Sequence, residues 1–98
     1  MAFKVILTQS ARKDILFAMD WYDDQQQNLG HRFYKDYAQV RQYLNLNPFI
    51  FRKGVHGFYE SKLSKFPYLI IYEILDDVVI VHAVFNTSKN PLKKPSKF

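Results

Sequence analysis

The sequence predicts an α+β fold of order β-α-α-β-β-β, with an antiparallel sheet and an N-terminal helical hairpin packed on one face. Two observations lead to this prediction. Apolar residues recur at helical spacing between residues 11 and 46, whereas residues 68–75 and 78–85 are nearly continuous apolar runs. Helical segments therefore precede most strand segments instead of alternating with them, which is typical of α+β proteins.

The N-terminal part is predicted to form a strand and then a helix. Residues 3–7 are rich in β-formers, and Thr8 or Ser10 can cap the following helix, because either hydroxyl can accept a first-turn amide. The strand should pair with a C-terminal strand, since its apolar side chains would otherwise stay in water. The apolar stripe of the helix comprises Ala11, Ile15, Ala18, Met19 and Tyr22.

A second helix is predicted from His31 to Leu46, with Gly30 in the turn before it. Asn47-Pro48 ends this helix, because a residue that precedes proline avoids the helical region. The two helices should form an antiparallel hairpin. The buried stripe of the second helix comprises Phe33, Tyr37, Val40 and Leu44.

Three strands are predicted after Pro48. Residues 58–63 form the first, and residues 68–75 and 78–85 form a central hairpin with a turn at Asp76-Asp77. Residues 52–57 are either a basic loop or a short edge strand. His82 lies inside the last apolar run, so we expect it to be partly buried and hydrogen-bonded, not catalytic.

Composition and charge restrict the classes of function. The 98 residues are expected to form one domain with a basic tail at 92–98. The sequence contains no cysteine, which excludes disulfide and thiol chemistry. Without a bilayer-length apolar run or a signal peptide, we expect a cytoplasmic protein that does not contact membranes. No metal-ligand spacing or phosphate-binding loop is present, so neither a metal nor another cofactor is expected.

Positive charge is concentrated in the second half of the chain. The net charge is +5, and residues 49–98 hold eight Lys or Arg against four acidic residues. This asymmetry favours a polyanionic partner, either nucleic acid or an acidic protein segment. The alternative is a solvated basic tail that keeps the protein in solution.

Several short motifs, in their order and spacing, resemble the RelE/ParE toxins of bacterial toxin–antitoxin systems over almost the whole chain. They are Ala11…Asp14-Ile15…Ala18…Trp21-Tyr22, Gly30…Phe33…Leu44…Asn47-Pro48, Phe66-Pro67-Tyr68-Leu69-Ile70…Tyr72 and Val84-Phe85-Asn86-Thr87-Ser88-Lys89-Asn90-Pro91. The resemblance implies the toxin of a type II pair, of the plasmid stabilisation type, neutralised by a cognate antitoxin. It also implies one of two targets, DNA gyrase or mRNA on the ribosome. A third alternative is a toxin fold that only binds its antitoxin.

Three residues are candidates for catalysis if the chain is a metal-independent mRNA endonuclease. Such cleavage requires an acid, a base and a cation that stabilises the phosphorane. Lys89 and Asn86 match positions where family nucleases commonly carry Arg and His, so the resemblance implies an electrostatic role for Lys89. Asn86 can form hydrogen bonds but cannot exchange a proton near neutral pH. His56 lies in the basic loop and is the acid–base candidate. Lys89 is otherwise an exposed turn residue.

A set of basic residues is predicted to contact the target. Phosphate contacts from such residues would provide affinity without sequence selectivity. Tyr68, like Tyr59 and Tyr72, is expected to lie near these basic residues. It can stack on a base, or else it fills the core. The alternative for the cations is ordinary protection of strand edges. The candidates are Arg52, Lys53, Lys62, Lys65, Lys93 and Lys94.

The antitoxin is expected to bind a hydrophobic groove beside the helical hairpin and the sheet. The +5 charge of the chain predicts that the bound segment is acidic or amphipathic.

Overall fold

The computed structural model describes residues 2–54 and 57–88, arranged as two helices packed on a five-stranded sheet. Strand β1 spans Lys4–Leu7, helix α1 spans Gln9–Gln25 and helix α2 spans Leu29–Leu46. A 3₁₀ turn at Pro48–Ile50 leads to β2 (Arg52–Lys53), β3 (Tyr59–Lys62), β4 (Tyr68–Leu75) and β5 (Val78–Asn86). The strand order is β1-β5-β4-β3-β2. Neither helix is long and apolar enough to cross a bilayer.

The α+β prediction is confirmed, but the sheet is mixed. Strands β2 to β5 are antiparallel neighbours, whereas β1 runs parallel to β5. Three reversals of chain direction separate β2 from β5, so β2 runs opposite to both β5 and β1.

Strand β5 contains a β-bulge at His82. Val81 pairs with Tyr72 and Ala83 pairs with Ile71, so His82 is the extra residue between two consecutive positions of β4. A bulge shifts the alternation of side chains along the strand that carries it.

Because of the bulge, successive side chains of β5 do not alternate regularly between the two faces of the sheet. Val81 and Val84 are three positions apart, yet both lie in the core between sheet and helices. Ala83 instead lies on the opposite face, packed with Leu69 and Ile71. The bulge therefore allows nearly every residue of this run to pack against an apolar neighbour.

Thr8 joins the start of α1 to this bulge. Its hydroxyl oxygen accepts a hydrogen bond from the Ala11 amide at 3.1 Å, which caps the helix. The same hydroxyl donates to the carbonyl of His82 at 3.3 Å, and the Thr8 amide donates to the carbonyl of Val81 at 3.0 Å. Thr8 is therefore the cap, and Ser10 lies inside the first turn.

The sequence predicted Gly30 in the turn before the second helix, and this placement is wrong. Gly30 lies in the first turn of α2. The left-handed position before the helix is occupied by Asn28, with φ of 69°. Gly30 is buried, and its amide donates to Asp23 Oδ1 at 2.7 Å. A side chain at this position would meet the carbonyl oxygen of Met19, so glycine permits close packing of the two helices.

An aromatic cluster joins the helical hairpin to the start of β4. The Phe33 and Tyr68 rings lie 4.8 Å apart between centroids, and those of Tyr22 and Phe66 lie 4.9 Å apart. Trp21 remains 38% exposed and contacts the edge of the Tyr22 ring. The cluster fixes the orientation of α1 and α2 on the sheet.

Candidate partner-binding groove

A groove runs along the open edge of β1, between that strand and the two helices. Its volume is about 580 Å³. Strand β1 is an edge strand of the described sheet, and the buried stripes of the helices face the sheet. Side chains just outside these stripes therefore remain open to solvent, and Leu16 is 56% exposed. The apolar lining consists of Val5, Ile6, Leu7, Ile15, Leu16 and Met19.

Polar side chains in the groove are hydrogen-bond donors. Arg12 and Arg41 line it, and neither forms an ion pair with a carboxylate in the described part of the chain. Arg41 Nη2 donates to the carbonyl of Val5, but the distance of 3.4 Å makes this bond long. An apolar floor with two unneutralised guanidinium groups suits an acidic amphipathic peptide segment.

Tyr37 is the third polar residue of the groove, and it is only 1% exposed. No group of the described structure accepts the proton of its hydroxyl. Burial raises the pKa of the phenol, and the charge of Arg41 and a hydrogen bond from its guanidinium oppose this effect in part. The sequence predicted Tyr37 only as a member of the buried stripe, and no local pattern indicated that its hydroxyl would lack an acceptor.

The basic residues predicted to contact the target lie on different surfaces of the described structure. Arg52 pairs in register with Glu60, and its Nε lies 4.0 Å from Glu60 Oε1. Lys62, two residues after Glu60, shares that face of the sheet. Lys53 pairs with Tyr59 on the helix-facing side, with its Nζ 5.7 Å from the centre of the Tyr59 ring.

Lys65 lies in a second cleft, of about 490 Å³, between α2 and the loop after β3. Arg32, Lys35 and Gln39 of α2 also line this cleft. The sequence did not indicate that Lys65 would lie in the same cleft as these residues of α2. Buried Asp36 fixes the loop, because it accepts hydrogen bonds from the amides of residues 64–66.

Tyr68 and Asn86 face each other across β4 and β5. Tyr68 is 7% exposed, and aromatic rings from both helices cover it, so it is not presented to a base. Asn86 Nδ2 donates to the Tyr68 hydroxyl at 3.1 Å, and Asn86 Oδ1 accepts from the Ser88 amide at 2.9 Å. The amide of Asn86 thus holds the end of the hairpin. Burial, with the neighbouring Tyr68, raises the pKa of Tyr22 to about 12.

His82 is partly buried and hydrogen-bonded, with Nε2 2.8 Å from Glu73 Oε1. Phe58 packs against the imidazole, with ring centres 5.3 Å apart. The sequence did not identify Glu73 as the partner, because neighbours across β4 and β5 depend on the register of the two strands, which is a tertiary property. Within residues 2–54 and 57–88, no three His, Asp or Glu side chains cluster as metal ligands would.

Four further candidates lie outside the described residues. They are His56, Lys89, Lys93 and Lys94, and the tail at 92–98 lies there as well.

Comparison with known proteins identifies the family. A sequence profile described as "ParE toxin of type II toxin-antitoxin system, parDE" matches residues 5–91. The chain belongs to the ParE toxin family. A solved structure described as "Chromosomal ParDE TA system from P. aeruginosa" superposes on this ParE-family chain with a TM-score of 0.78. The superposition covers 87% of this chain and 96% of that chain at 13% sequence identity, so it supports the fold. No curated protein sequence matches.

The ParE family assignment confirms the resemblance found in the sequence. The chain is a ParE-type toxin of a type II toxin–antitoxin system. In this ParE toxin the groove beside β1 and the cleft beside Lys65 are concave surfaces formed by described residues.

Proposed function

We propose that this ParE toxin inhibits DNA gyrase or translation by binding its target, and that a cognate antitoxin neutralises it by occupying the groove along β1. The observation that carries the proposal is an apolar groove flanked by Arg12 and Arg41, neither of which has a carboxylate partner in the described structure. A protein segment with apolar and acidic side chains would cover both features at once.

The exposed apolar side chains of the groove support a protein partner. Leu16 is 56% exposed, and Ile6 and Tyr34 are each 40% exposed. Apolar residues clustered around a concave surface mark protein interaction sites more often than isolated exposed residues do. The outer edge of β1 adds backbone groups that have no neighbouring strand in the described sheet. Together they suit a segment that lies along the strand.

Binding, rather than catalysis, is supported at Asn86. Its amide group is committed to Tyr68 and Ser88, and an amide cannot act as an acid or base near neutral pH. The gyrase-directed members of this superfamily inhibit without cleaving nucleic acid themselves, and the engaged Asn86 agrees with that mode.

The alternative function is cleavage of mRNA on the ribosome. The cleft lined by Arg32, Lys35 and Lys65 favours it, because three cations around a concave surface suit a phosphate backbone. None of the three forms an ion pair within residues 2–54 and 57–88. If RNA binds there, replacing Lys65 by glutamine should weaken inhibition of translation.

The deciding experiment is induced expression in bacteria without the antitoxin, followed by pulse labelling of DNA and protein synthesis. Early loss of DNA synthesis with cleaved chromosomal DNA is expected for a gyrase inhibitor. Early loss of protein synthesis with codon-positioned cuts in mRNA would establish the alternative. Normal growth with folded protein present would refute toxicity. Co-expression of the product of the adjacent open reading frame should restore growth, and failure to do so would refute neutralisation by that protein.

A further inference from the structure

A cluster of hydrogen-bond donors without a described carboxylate partner lies inside the groove. Tyr37, Arg41 and Arg12 all line the cavity. The Tyr37 hydroxyl is buried and no described group accepts its proton, whereas Arg41 is close enough to act on its oxygen both as a charge and as a hydrogen-bond donor. The guanidinium of an arginine can only donate, so Arg41 cannot receive the proton of Tyr37.

The missing partner is therefore an acceptor. Buried polar groups are almost always hydrogen-bonded, because leaving one unpaired away from water is unfavourable. The acceptor that Arg41 uses, the carbonyl of Val5, lies at 3.4 Å, and no described carboxylate pairs with Arg41 or Arg12. A backbone carbonyl of a bound segment would satisfy one donor only. A carboxylate would satisfy the hydroxyl and compensate both positive charges.

We propose that an Asp or Glu side chain of the antitoxin enters the groove and accepts hydrogen bonds from Tyr37 and Arg41. This inference rests on the proposed function, since the antitoxin is the occupant. Tyr37 is covered in the free protein and Arg41 interacts with its hydroxyl, so the proposed contact requires Arg41 to turn toward the incoming carboxylate. The long bond from Arg41 to Val5 is weak and opposes this movement little. Arg12 contributes the second positive charge at the same cavity.

Tyr37→Phe provides the first test, because it removes the hydroxyl and keeps the buried ring. The probe is the purified product of the open reading frame adjacent to this gene, titrated calorimetrically. We expect Tyr37→Phe and Arg41→Gln each to weaken binding roughly tenfold or more, as loss of a hydrogen bond to a charged group does. Tyr43→Phe on the same helix and Lys13→Gln on the exposed side of α1 are the matched controls outside the groove, and they should leave the affinity unchanged.

The free protein provides a second readout. Removing a hydroxyl whose proton has no acceptor should leave the melting temperature of Tyr37→Phe unchanged or raised. A clear fall would show that the hydroxyl already has an acceptor, and that result would overturn the inference. A merely structural role for Tyr37 would lower stability and affinity together, whereas the proposed role lowers affinity alone.

The third readout identifies the carboxylate. Each Asp and Glu of the antitoxin is replaced by Asn or Gln, and each variant is titrated against wild-type and Arg41→Gln toxin. For one acidic residue, the loss of affinity in the double variant should be smaller than the sum of the losses caused by the antitoxin change and by Arg41→Gln separately, since both changes remove the same contact. Strict additivity at every acidic residue, or normal binding by both toxin variants, would overturn the inference and leave the proposed function standing. Absence of binding by the wild-type toxin would refute the proposed function itself.

Discussion

The carboxylate of Asp14 accepts a hydrogen bond from the backbone amide of Val84 at 3.0 Å. Strand β1 accompanies β5 only as far as the pair of Leu7 and Val81, so the edge of β5 is uncovered beyond that point. Asp14 projects from α1 and supplies the acceptor that a longer β1 would have supplied. The first helix is thereby bonded to the sheet at a second place besides Thr8.

Replacing Asp14 by asparagine should make stability less dependent on pH. Burial raises the pKa of Asp14 above its ordinary value of 3.8, and the hydrogen bond from Val84 opposes this only in part. The folded state therefore holds the proton more tightly than the unfolded state does. Its contribution to stability is fully present below pH 3.8 and is lost as the pH rises through the folded-state pKa. Asparagine keeps an acceptor for Val84 and carries no charge.

Urea unfolding at a series of pH values, from about pH 4 to about pH 7, checks this prediction. The stability of Asp14→Asn relative to the wild type should increase with pH. Asp14→Ala is the control that also removes the acceptor, and it should cost about 1–2 kcal/mol because the Val84 amide loses its partner. A relative stability of Asp14→Asn that falls as the pH rises would contradict the expected sign.

Asp36 is predicted to be important for the stability of the loop between β3 and β4. It is 4% exposed and accepts from the amides of Ser64, Lys65 and Phe66 at 2.8–3.1 Å. Asp36→Ala leaves three amides without an acceptor, so we expect a loss of about 2–4 kcal/mol in unfolding free energy. Asp36→Asn keeps one oxygen and should lose about half as much.

Chemical denaturation of both Asp36 variants measures this difference. Asp20 lies on the exposed side of α1, so Asp20→Ala is the control, and it should change stability by no more than about 0.5 kcal/mol. Equal stability of Asp36→Ala and the wild type would show that water replaces the carboxylate at this loop.

Whether β1 runs parallel or antiparallel to β5 depends on β2, which the sequence left open as either a loop or a short edge strand. Apolar periodicity located both helices and the β4–β5 hairpin, because those segments bury long regular stripes. The two residues Arg52 and Lys53 are too few to show any period, yet as β2 they add one more reversal of the chain. Without that reversal the last strand would run antiparallel to β1. The presence of so short an edge strand depends on its pairing with β3, which is a tertiary contact.

The candidate groove shows a similar division between local and tertiary information. The hydrophobic groove beside the hairpin was predicted from the resemblance to the RelE/ParE toxins, as the place where an antitoxin would bind. The sequence did not single out Arg12, Tyr37 or Arg41 as a group. Tyr37 follows Arg12 by 25 positions and Arg41 follows it by 29. Only the crossing of α1 and α2 over β1 brings these three side chains to one cavity.

Gly30→Ala should destabilise the fold although alanine favours helices. A methyl group at Gly30 would meet the carbonyl oxygen of Met19 and lie 2.9 Å from Cγ of Asp23. The helices must separate to accept it, at a cost of about 1–3 kcal/mol, which exceeds the roughly 1 kcal/mol gained in helix propensity. Thermal unfolding should show a melting temperature lower by several degrees. Gln42→Ala, on the exposed side of α2, should leave it nearly unchanged, and an unaltered value for Gly30→Ala would disprove the close packing.

Leu16 and Leu75 form a matched pair for testing the groove. Both side chains are largely exposed, at 56% and 52%, but only Leu16 lines the groove. Each leucine is replaced by aspartate, which should be tolerated in the free protein because neither site is buried. Leu16→Asp should remove an apolar contact and repel an acidic partner, so its affinity for the antitoxin should fall at least about tenfold.

In bacteria, Leu16→Asp should still inhibit growth, and co-expressed antitoxin should no longer protect the cells. Leu75→Asp should retain both growth inhibition and protection, because Leu75 does not line the groove and β5 lies between β4 and β1. Growth curves with and without the antitoxin measure both effects in one experiment. Full protection against Leu16→Asp would place the antitoxin on another surface, and loss of protection in both variants would show a general effect of the added charge.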